Sequence, residues 1–241
     1  MPRSLAIVVG VDGVSSDTAV DWAAAHAARS GAALHLVHAL PAPATVPAPG
    51  DDPDDLAARA MLARAAARAA AAGAAACTTT CISLPPGPGL VAASETAGII
   101  VLGSRGGGAR LGTSDTSVGA HVSRFARCSV ALVPDAPRAA TGLVGVDLQH
   151  GAGGGAVAGF AMLYAALHGL TVQAVSSVPD AVLAGIAPRH AGTGETPRRL
   201  FSDVDLVVLP APGPAHSPWG ARGRLEQIAI RHSGCPVVFA R

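Results

Sequence analysis

An internal repeat is the feature that most constrains how this chain can fold. The apolar run at residues 99–102 returns at residues 206–209, 107 positions further on. Nearer the N-terminus, residues 5–12 (LAIVVGVD) match residues 143–147 (LVGVD). A repeat of this length indicates two copies of one structural unit within the chain.

The front and back parts of the repeat have different offsets. The helix-like stretches after the first strands end at Gly31 and Gly169, which are 138 positions apart, whereas the later strands are 107 positions apart. The second copy therefore has 31 residues fewer between its second and penultimate strands, about the length of a helix, a strand and their loops. We predict a domain over residues 1–135 and a shortened one over residues 141–241, joined by a proline-containing linker at residues 134–141.

Short apolar runs alternate with helix-like segments through the first copy. This alternation predicts a parallel sheet with helices on both faces, and continuous apolar runs indicate strands that are buried on both sides. The predicted fold class is α/β, with two tandem doubly wound, Rossmann-like domains, the first with five strands and the second truncated. The predicted strands are 5–11, 33–39, 77–83, 99–102 and 129–133, and the predicted helices are 16–30, 54–72, 89–97 and 115–126.

Composition excludes several classes of partner. The net charge is +1, 14% of residues are charged and 3% are aromatic, so neither a basic stripe nor a base-stacking platform for nucleic acid is available. The alanine-rich stretch 56–76 is interrupted by Arg59, Arg64 and Arg68, which favours a solvent-facing helix over a membrane span. We expect no nucleic acid and no membrane as partner.

The cysteines and histidines show no metal-site spacing. Cys77 and Cys81 form a lone C-x3-C on one face of a predicted strand, where we expect them to be small buried hydrophobic residues. His35 and His38 flank apolar strand positions and are expected to make local contacts. All four cysteines are expected to be reduced and structural, in keeping with a cytoplasmic location.

Two loops carry the candidate binding chemistry. Ligands of open α/β sheets bind beyond the carboxyl ends of the strands, and here the first strand is followed by Asp12 and Gly13. The fourth strand is followed by a glycine-rich loop that leads to Thr116 and Ser117 at a predicted helix start. Glycine N–H groups, a hydroxyl and a helix N-terminus together can hold a phosphate. That loop contains Gly103, Ser104, Arg105, Gly106 and Gly107.

The pattern of strand, VDG and helix, followed by VLGSRG and then CSVALVP, resembles the universal stress protein family across nearly all of the first copy. The resemblance implies an adenine nucleotide α-hydrolase-like fold and binding of ATP, with Mg²⁺ as its companion ion. The family's ATP-binding members carry G-x2-G-x9-G-(S/T), and this chain has Thr116 where the third glycine belongs. The resemblance implies that Asp12 lies near adenine or ribose, that Val37, in the loop after strand two, lies beside the adenine, that Gly103 and Gly106 line the phosphates, and that Ser117 bonds a phosphate oxygen. The remaining predicted nucleotide-binding residues are Gly13, Ser104, Arg105, Gly107 and Thr116.

The second copy departs further from that motif. It has Pro210, Gly213, Gly223 and Arg224 at the four motif positions, and prolines lack the N–H that a phosphate cradle uses. We expect no nucleotide there and a structural role for this copy. The resemblance also implies that the last strands, 129–133 and 236–240, pair within the molecule, with a homodimer as a further assembly.

The leading hypothesis is a regulatory stress-response protein that binds ATP in its first domain and is not an enzyme. The alternative is a nucleotide-independent scaffold or interaction module, which Thr116 favours because a β-branched residue replaces a glycine near the phosphates. A dinucleotide fingerprint, G-x-G-x-x-A at residues 151–156, is weaker because no acidic residue follows the next strand. A Walker A loop is excluded, since the chain contains no lysine.

Overall fold

A computed structural model describes residues 6–40, 53–104, 117–136, 140–146, 154–174, 204–212 and 234–241. The chain separates into two compact units, residues 1–135 and 136–241. Strands and helices alternate in both units, and every strand pair within a unit is parallel, as in a Rossmann-like α/β fold.

The first unit contains five parallel strands in the order β3-β2-β1-β4-β5. The central strand β1 is almost entirely enclosed, because Ile7, Val8 and Val9 are at most 4% exposed. Such runs form strands because both faces of the sheet are covered by helices. The elements are β1 Ile7–Gly10, a 3-10 turn Val14–Ser16, α1 Asp17–Ser30, β2 Leu34–Ala39, α2 Pro53–Ala71, β3 Cys77–Ile82, α3 Pro86–Ala93, β4 Ile99–Gly103, α4 Val118–Phe125 and β5 Ser129–Val133.

Helix α1 ends as its sequence predicts. Gly31 takes a left-handed conformation, with φ of 69°, and its N–H donates to the carbonyl of Ala27. Only glycine adopts this C-terminal cap without strain. The capped end turns the chain directly into β2.

Helix α2 is amphipathic and packs on α1, β2 and β3. One face buries Ala58, Leu62, Ala65 and Ala69 at helical spacing. From this helix, the guanidinium of Arg68 reaches three carboxylate oxygens of α1: Nε lies 2.7 Å and Nη2 lies 2.6 Å from the two oxygens of Asp21, and Nη1 lies 3.2 Å from Asp17. Within the described ranges, no helix combines the length and apolar character that a bilayer crossing requires.

Two expectations for the first unit are wrong. The third helix spans Pro86–Ala93 rather than 89–97, because a proline is accepted in the first turn and starts the helix early. Cys77 and Cys81 are only partly buried, because β3 lies at the end of the strand order and exposes Thr78 and Thr80. Partial burial still raises the pKa of the Cys77 thiol.

The described part of the second unit contains four parallel strands in the order β9-β8-β6-β7. Helix α5 packs on β6 and β8. The predicted loss of a helix and a strand concerns residues 175–203, which lie outside the described residues, and the pairing of β5 with the last strand stays a prediction. The elements are β6 Leu143–Val146, α5 Gly154–His168, β7 Thr171–Ala174, β8 Leu206–Pro210 and β9 Val237–Ala240.

Candidate nucleotide site

The loop after β1 is closed on itself by serine hydroxyls. The Ser15 hydroxyl donates to a carboxylate oxygen of Asp12 over 2.7 Å, and the Ser16 hydroxyl donates to the Gly13 carbonyl over 2.7 Å. The Ser16 oxygen also accepts from the Asp12 N–H over 3.2 Å. The Asp12 carboxylate is therefore oriented by Ser15, and it is exposed to solvent. This is how a residue that binds hydroxyl groups would be presented.

Gly13 permits this turn. Its φ of 117° is one that L side chains rarely adopt, and among the described residues no heavy atom outside its chain neighbours lies within 4 Å of where a Cβ would stand. The position is therefore restricted by its backbone conformation rather than by crowding. None of the described residues fills the space beside Gly13.

Gly103 joins the two candidate loops. Strands β1 and β4 are neighbours, so their carboxyl ends lie at the same edge of the sheet. A Cβ at Gly103 would stand 2.6 Å from the backbone carbonyl oxygen of Ser15. The glycine is therefore required by contact between the two loops, a structural role that the motif alone did not reveal.

The loop after β4 is described only at its two ends. The Ser104 N–H donates to the Val133 carbonyl over 2.8 Å, which continues the pairing of β4 with β5. The predicted phosphate residues Arg105, Gly106, Gly107 and Thr116 lie outside the described residues.

Ser117 is the N-cap of α4. Its hydroxyl oxygen accepts the Ala120 N–H over 3.1 Å, and its backbone is extended, with φ of −67° and ψ of 142°. A capping hydroxyl uses its lone pair and keeps its proton. Ser117 can therefore cap the helix and still donate to a phosphate oxygen.

The end of β2 supports the Asp12 loop from the side. Val37 and His38 belong to β2 itself, as in the predicted strand 33–39, and not to the loop after it in which the family resemblance placed Val37. The Val37 side chain is 3% exposed, and its carbonyl accepts the Val11 N–H over 2.8 Å. Nδ1 of His38 lies 2.6 Å from the Val11 carbonyl oxygen. Both residues hold the chain immediately before Asp12.

Sequence reasoning missed three supporting residues, Ser15, Ser16 and His38. The serines had a readable signal, since hydroxyl residues after an Asp-Gly pair favour a side-chain-closed turn at a helix start. His38 had none, because its partner lies 27 positions away in the chain. The described part of the chain brings no three His, Cys, Asp or Glu side chains together as a metal site.

In the second unit, Pro210 is the last residue of β8 and pairs in register with Ala240. It has no N–H to offer at the position that Gly103 holds in the first unit. Pro212 is buried, and its carbonyl accepts from the Arg241 guanidinium over 3.3 Å. Gly213, Gly223 and Arg224 lie outside the described residues.

Comparison with known proteins gives one family and several solved structures of similar fold. A model of the universal stress protein family matches residues 5–134. A solved universal stress protein in complex with cAMP is 30% identical, with a TM-score of 0.48, and the match covers 54% of this chain and 97% of that chain. No curated protein matches the chain.

Two solved structures match nearly the whole chain. A universal stress protein from Archaeoglobus fulgidus DSM 4304 is 17% identical, with a TM-score of 0.68, over 99% of this chain and 97% of that chain. A functionally unknown protein from Pseudomonas aeruginosa PAO1 is 16% identical, with a TM-score of 0.57, over 98% of this chain and 92% of that chain. At these low sequence identities, the similarity shows a shared fold and nothing more.

Proposed function

The chain belongs to the universal stress protein family, and from that premise we propose that its first unit binds an adenine nucleotide, ATP in the leading case, in a regulatory role during stress. The observation that carries the proposal is the Asp12 carboxylate. It is exposed at the carboxyl end of β1, and the Ser15 hydroxyl holds it in place. Ligands of open α/β sheets bind at this edge.

In this proposal, different described residues bind different parts of the nucleotide. Asp12 accepts hydrogen bonds from the ribose hydroxyls, and the open space at Gly13 lets the ligand approach the backbone. Ser117 donates its hydroxyl proton to a phosphate oxygen while its lone pair caps α4. Mg²⁺ bound with ATP would neutralise phosphate charge. The Ser117 hydroxyl oxygen would be the metal ligand that the chain supplies.

The proposal is one of binding rather than turnover, in a cytoplasmic protein. A nucleotide-independent interaction module is the second candidate, and Gly103 favours it. The contact with the Ser15 carbonyl explains this motif glycine without any ligand. The two candidates therefore differ in whether the Asp12 carboxylate binds a nucleotide.

Titration calorimetry of the full chain with ATP, ADP, AMP and cAMP separates the candidates. We expect ATP to bind the native chain, and Asp12→Ala to weaken it at least tenfold, since a hydrogen bond to a charged group contributes about 1.5–3 kcal/mol. Asp54→Ala, which removes an exposed carboxylate from α2, is the matched control and should bind as the native chain does. Absence of heat with every nucleotide would favour the interaction module, and chromatography of the recovered nucleotide tests for turnover.

A further inference from the structure

The peptide group between Val11 and Asp12 is held by side chains at both of its polar atoms. Its carbonyl oxygen, from Val11, lies 2.6 Å from Nδ1 of His38 in β2. Its N–H, from Asp12, donates to the hydroxyl oxygen of Ser16 in the 3-10 turn over 3.2 Å. The direction in which the chain leaves β1 toward the Asp12 side chain is therefore set by two side chains from different elements.

This arrangement begins where the backbone pairing of β1 with β2 ends. The last paired residues of the two strands are Gly10 and Val37. The Val11 N–H still donates to the Val37 carbonyl over 2.8 Å, and the carbonyl of Val11 then receives the ring of His38. Val11 is 4% exposed, and a buried carbonyl that loses its donor is costly. The structure therefore depends on a donor at this point.

The partner of His38 decides which of its ring nitrogens carries the proton. A carbonyl oxygen can only accept, so Nδ1 is protonated and donates to Val11. His35, three positions earlier in β2, makes a different kind of contact, because its Nδ1 lies 2.6 Å from the Thr78 hydroxyl, which can donate or accept. The two histidines of one strand therefore differ, and it is His38 that bonds to the chain leading to Asp12.

We propose that His38 is a positioning residue of the nucleotide site: its Nδ1–H fixes the Val11–Asp12 peptide and thereby the direction of the Asp12 carboxylate. The inference rests on the proposed function, which assigns the contact with the nucleotide to Asp12. His38 acts through the backbone, whereas Ser15 holds the same carboxylate directly, by a hydrogen bond of 2.7 Å. A group that is fixed before its ligand arrives loses less entropy on binding, so the affinity depends on the residues that support it.

Titration calorimetry of the full chain with ATP gives the first test. We expect His38→Leu to weaken binding about three- to tenfold, the factor that corresponds to one net hydrogen bond. His38→Asn should bind more tightly than His38→Leu, because the asparagine amide nitrogen lies as many bonds from Cα as Nδ1 does and can donate to the same carbonyl. His35→Leu is the matched control, since His35 bonds to β3 instead, and it should bind as the native chain does.

A double substitution shows whether His38 acts through Asp12. If it does, adding His38→Leu to Asp12→Ala should not weaken binding further, because the carboxylate that His38 positions is already absent. Equal losses with and without the Asp12 carboxylate would overturn the proposal, as would a His38→Leu variant that binds ATP as tightly as the native chain. All variants are titrated at a temperature at which circular dichroism shows each of them to be folded.

NMR spectroscopy of the ligand-free chain tests the positioning of Asp12 independently of any nucleotide. The imidazole nitrogen resonances of the neutral ring should show the His38 proton on Nδ1. The Asp12 amide resonance should move in His38→Leu, lie closer to its native position in His38→Asn, and stay in place in His35→Leu. A proton on Nε2, or an Asp12 resonance that does not respond to His38→Leu, overturns the proposal even where ATP binds. If no nucleotide binds while the Asp12 resonance responds as expected, the proposed function fails and the positioning of Asp12 by His38 stands.

Discussion

Gly103 is fixed by a backbone contact at the edge of the sheet. A methyl group at this position would stand 2.6 Å from the Ser15 carbonyl oxygen, and neither backbone segment can move without disturbing the Asp12 loop. We therefore expect Gly103→Ala to lower the free energy of unfolding by about 1–3 kcal/mol, the usual range for overpacking. Urea unfolding measures the loss. Ser104→Ala, one position further on, is the control and should change stability much less.

Ser117 serves two purposes that substitutions can separate. Ser117→Ala removes the cap of α4 and should lower stability by about 1 kcal/mol, together with the affinity for ATP. Ser117→Asp keeps a capping oxygen but places a negative charge where a phosphate would bind. Thermal unfolding combined with calorimetry should therefore show a stable protein without ATP binding. Binding by Ser117→Asp equal to that of the native chain would remove Ser117 from the site.

The burial of His26 predicts that the first unit loses stability in acid. Burial, and to a smaller extent the nearby Arg29, lowers the pKa of His26 below its ordinary value. As the pH falls, the unfolded chain takes up the proton before the folded chain does, so stability decreases below the ordinary histidine value of about 6.5. We expect His26→Gln to lose less stability than the native chain between about pH 7.5 and pH 5.5 in urea unfolding. An equal loss in both proteins would assign the acid sensitivity to other groups.

At the scale of elements, α2 is held on α1 and the sheet mainly by its apolar face. Leu62 is 3% exposed, so Leu62→Ala should lower stability by about 2–5 kcal/mol. The Arg68 side chain is 41% exposed, and exposed ion pairs contribute about 0–1 kcal/mol each. Arg68→Ala should therefore have the smaller effect, and it should fade in high salt. Chemical unfolding at two salt concentrations tests this order, and the reverse order would make the ion pairs the main attachment.

The elements show how far the sequence alone predicts this fold. Helix α1 and strand β5 were predicted within one residue, because a glycine ends the helix and an unbroken apolar run forms the strand. The start of α3 was predicted at residue 89, whereas the helix begins at Pro86, because a proline is accepted in the first turn of a helix. The exposure of Cys77 could not be predicted, because it depends on the position of β3 in the sheet, which alternation within one strand does not specify.

The candidate site likewise contains features that local sequence predicts and features that only the tertiary structure reveals. The positions of Asp12 and Gly13 after a strand and of Ser117 at a helix start could be predicted because each is a local signal, while their contacts with a ligand stay predictions. The contact between Gly103 and Ser15 could not be predicted, since it joins residues 88 positions apart and leaves no local pattern. The close approach to Ser15 is a structural reason for a glycine at this position, beside the phosphate contact that stays a prediction.

At the scale of the whole molecule, we expect the chain to bind one nucleotide, in the first unit. The second unit has Pro210 at the position of Gly103 and Arg224 at the position of Ser117, so it loses both an N–H donor and the hydroxyl. Calorimetry of the native chain should therefore give a stoichiometry of one ATP per chain.

Substitutions in both units test which of them holds the nucleotide. Gly106→Val should abolish binding, because a side chain would fill the space that the phosphates need, whereas Arg224→Ala should leave the affinity unchanged. Thr116→Gly restores the family motif and should raise affinity about fivefold, which corresponds to relief of about 1 kcal/mol of backbone strain. Each variant is checked for native melting behaviour before titration, so that lost binding is not confused with lost folding. Binding that survives Gly106→Val and disappears in Arg224→Ala would place the nucleotide in the second unit.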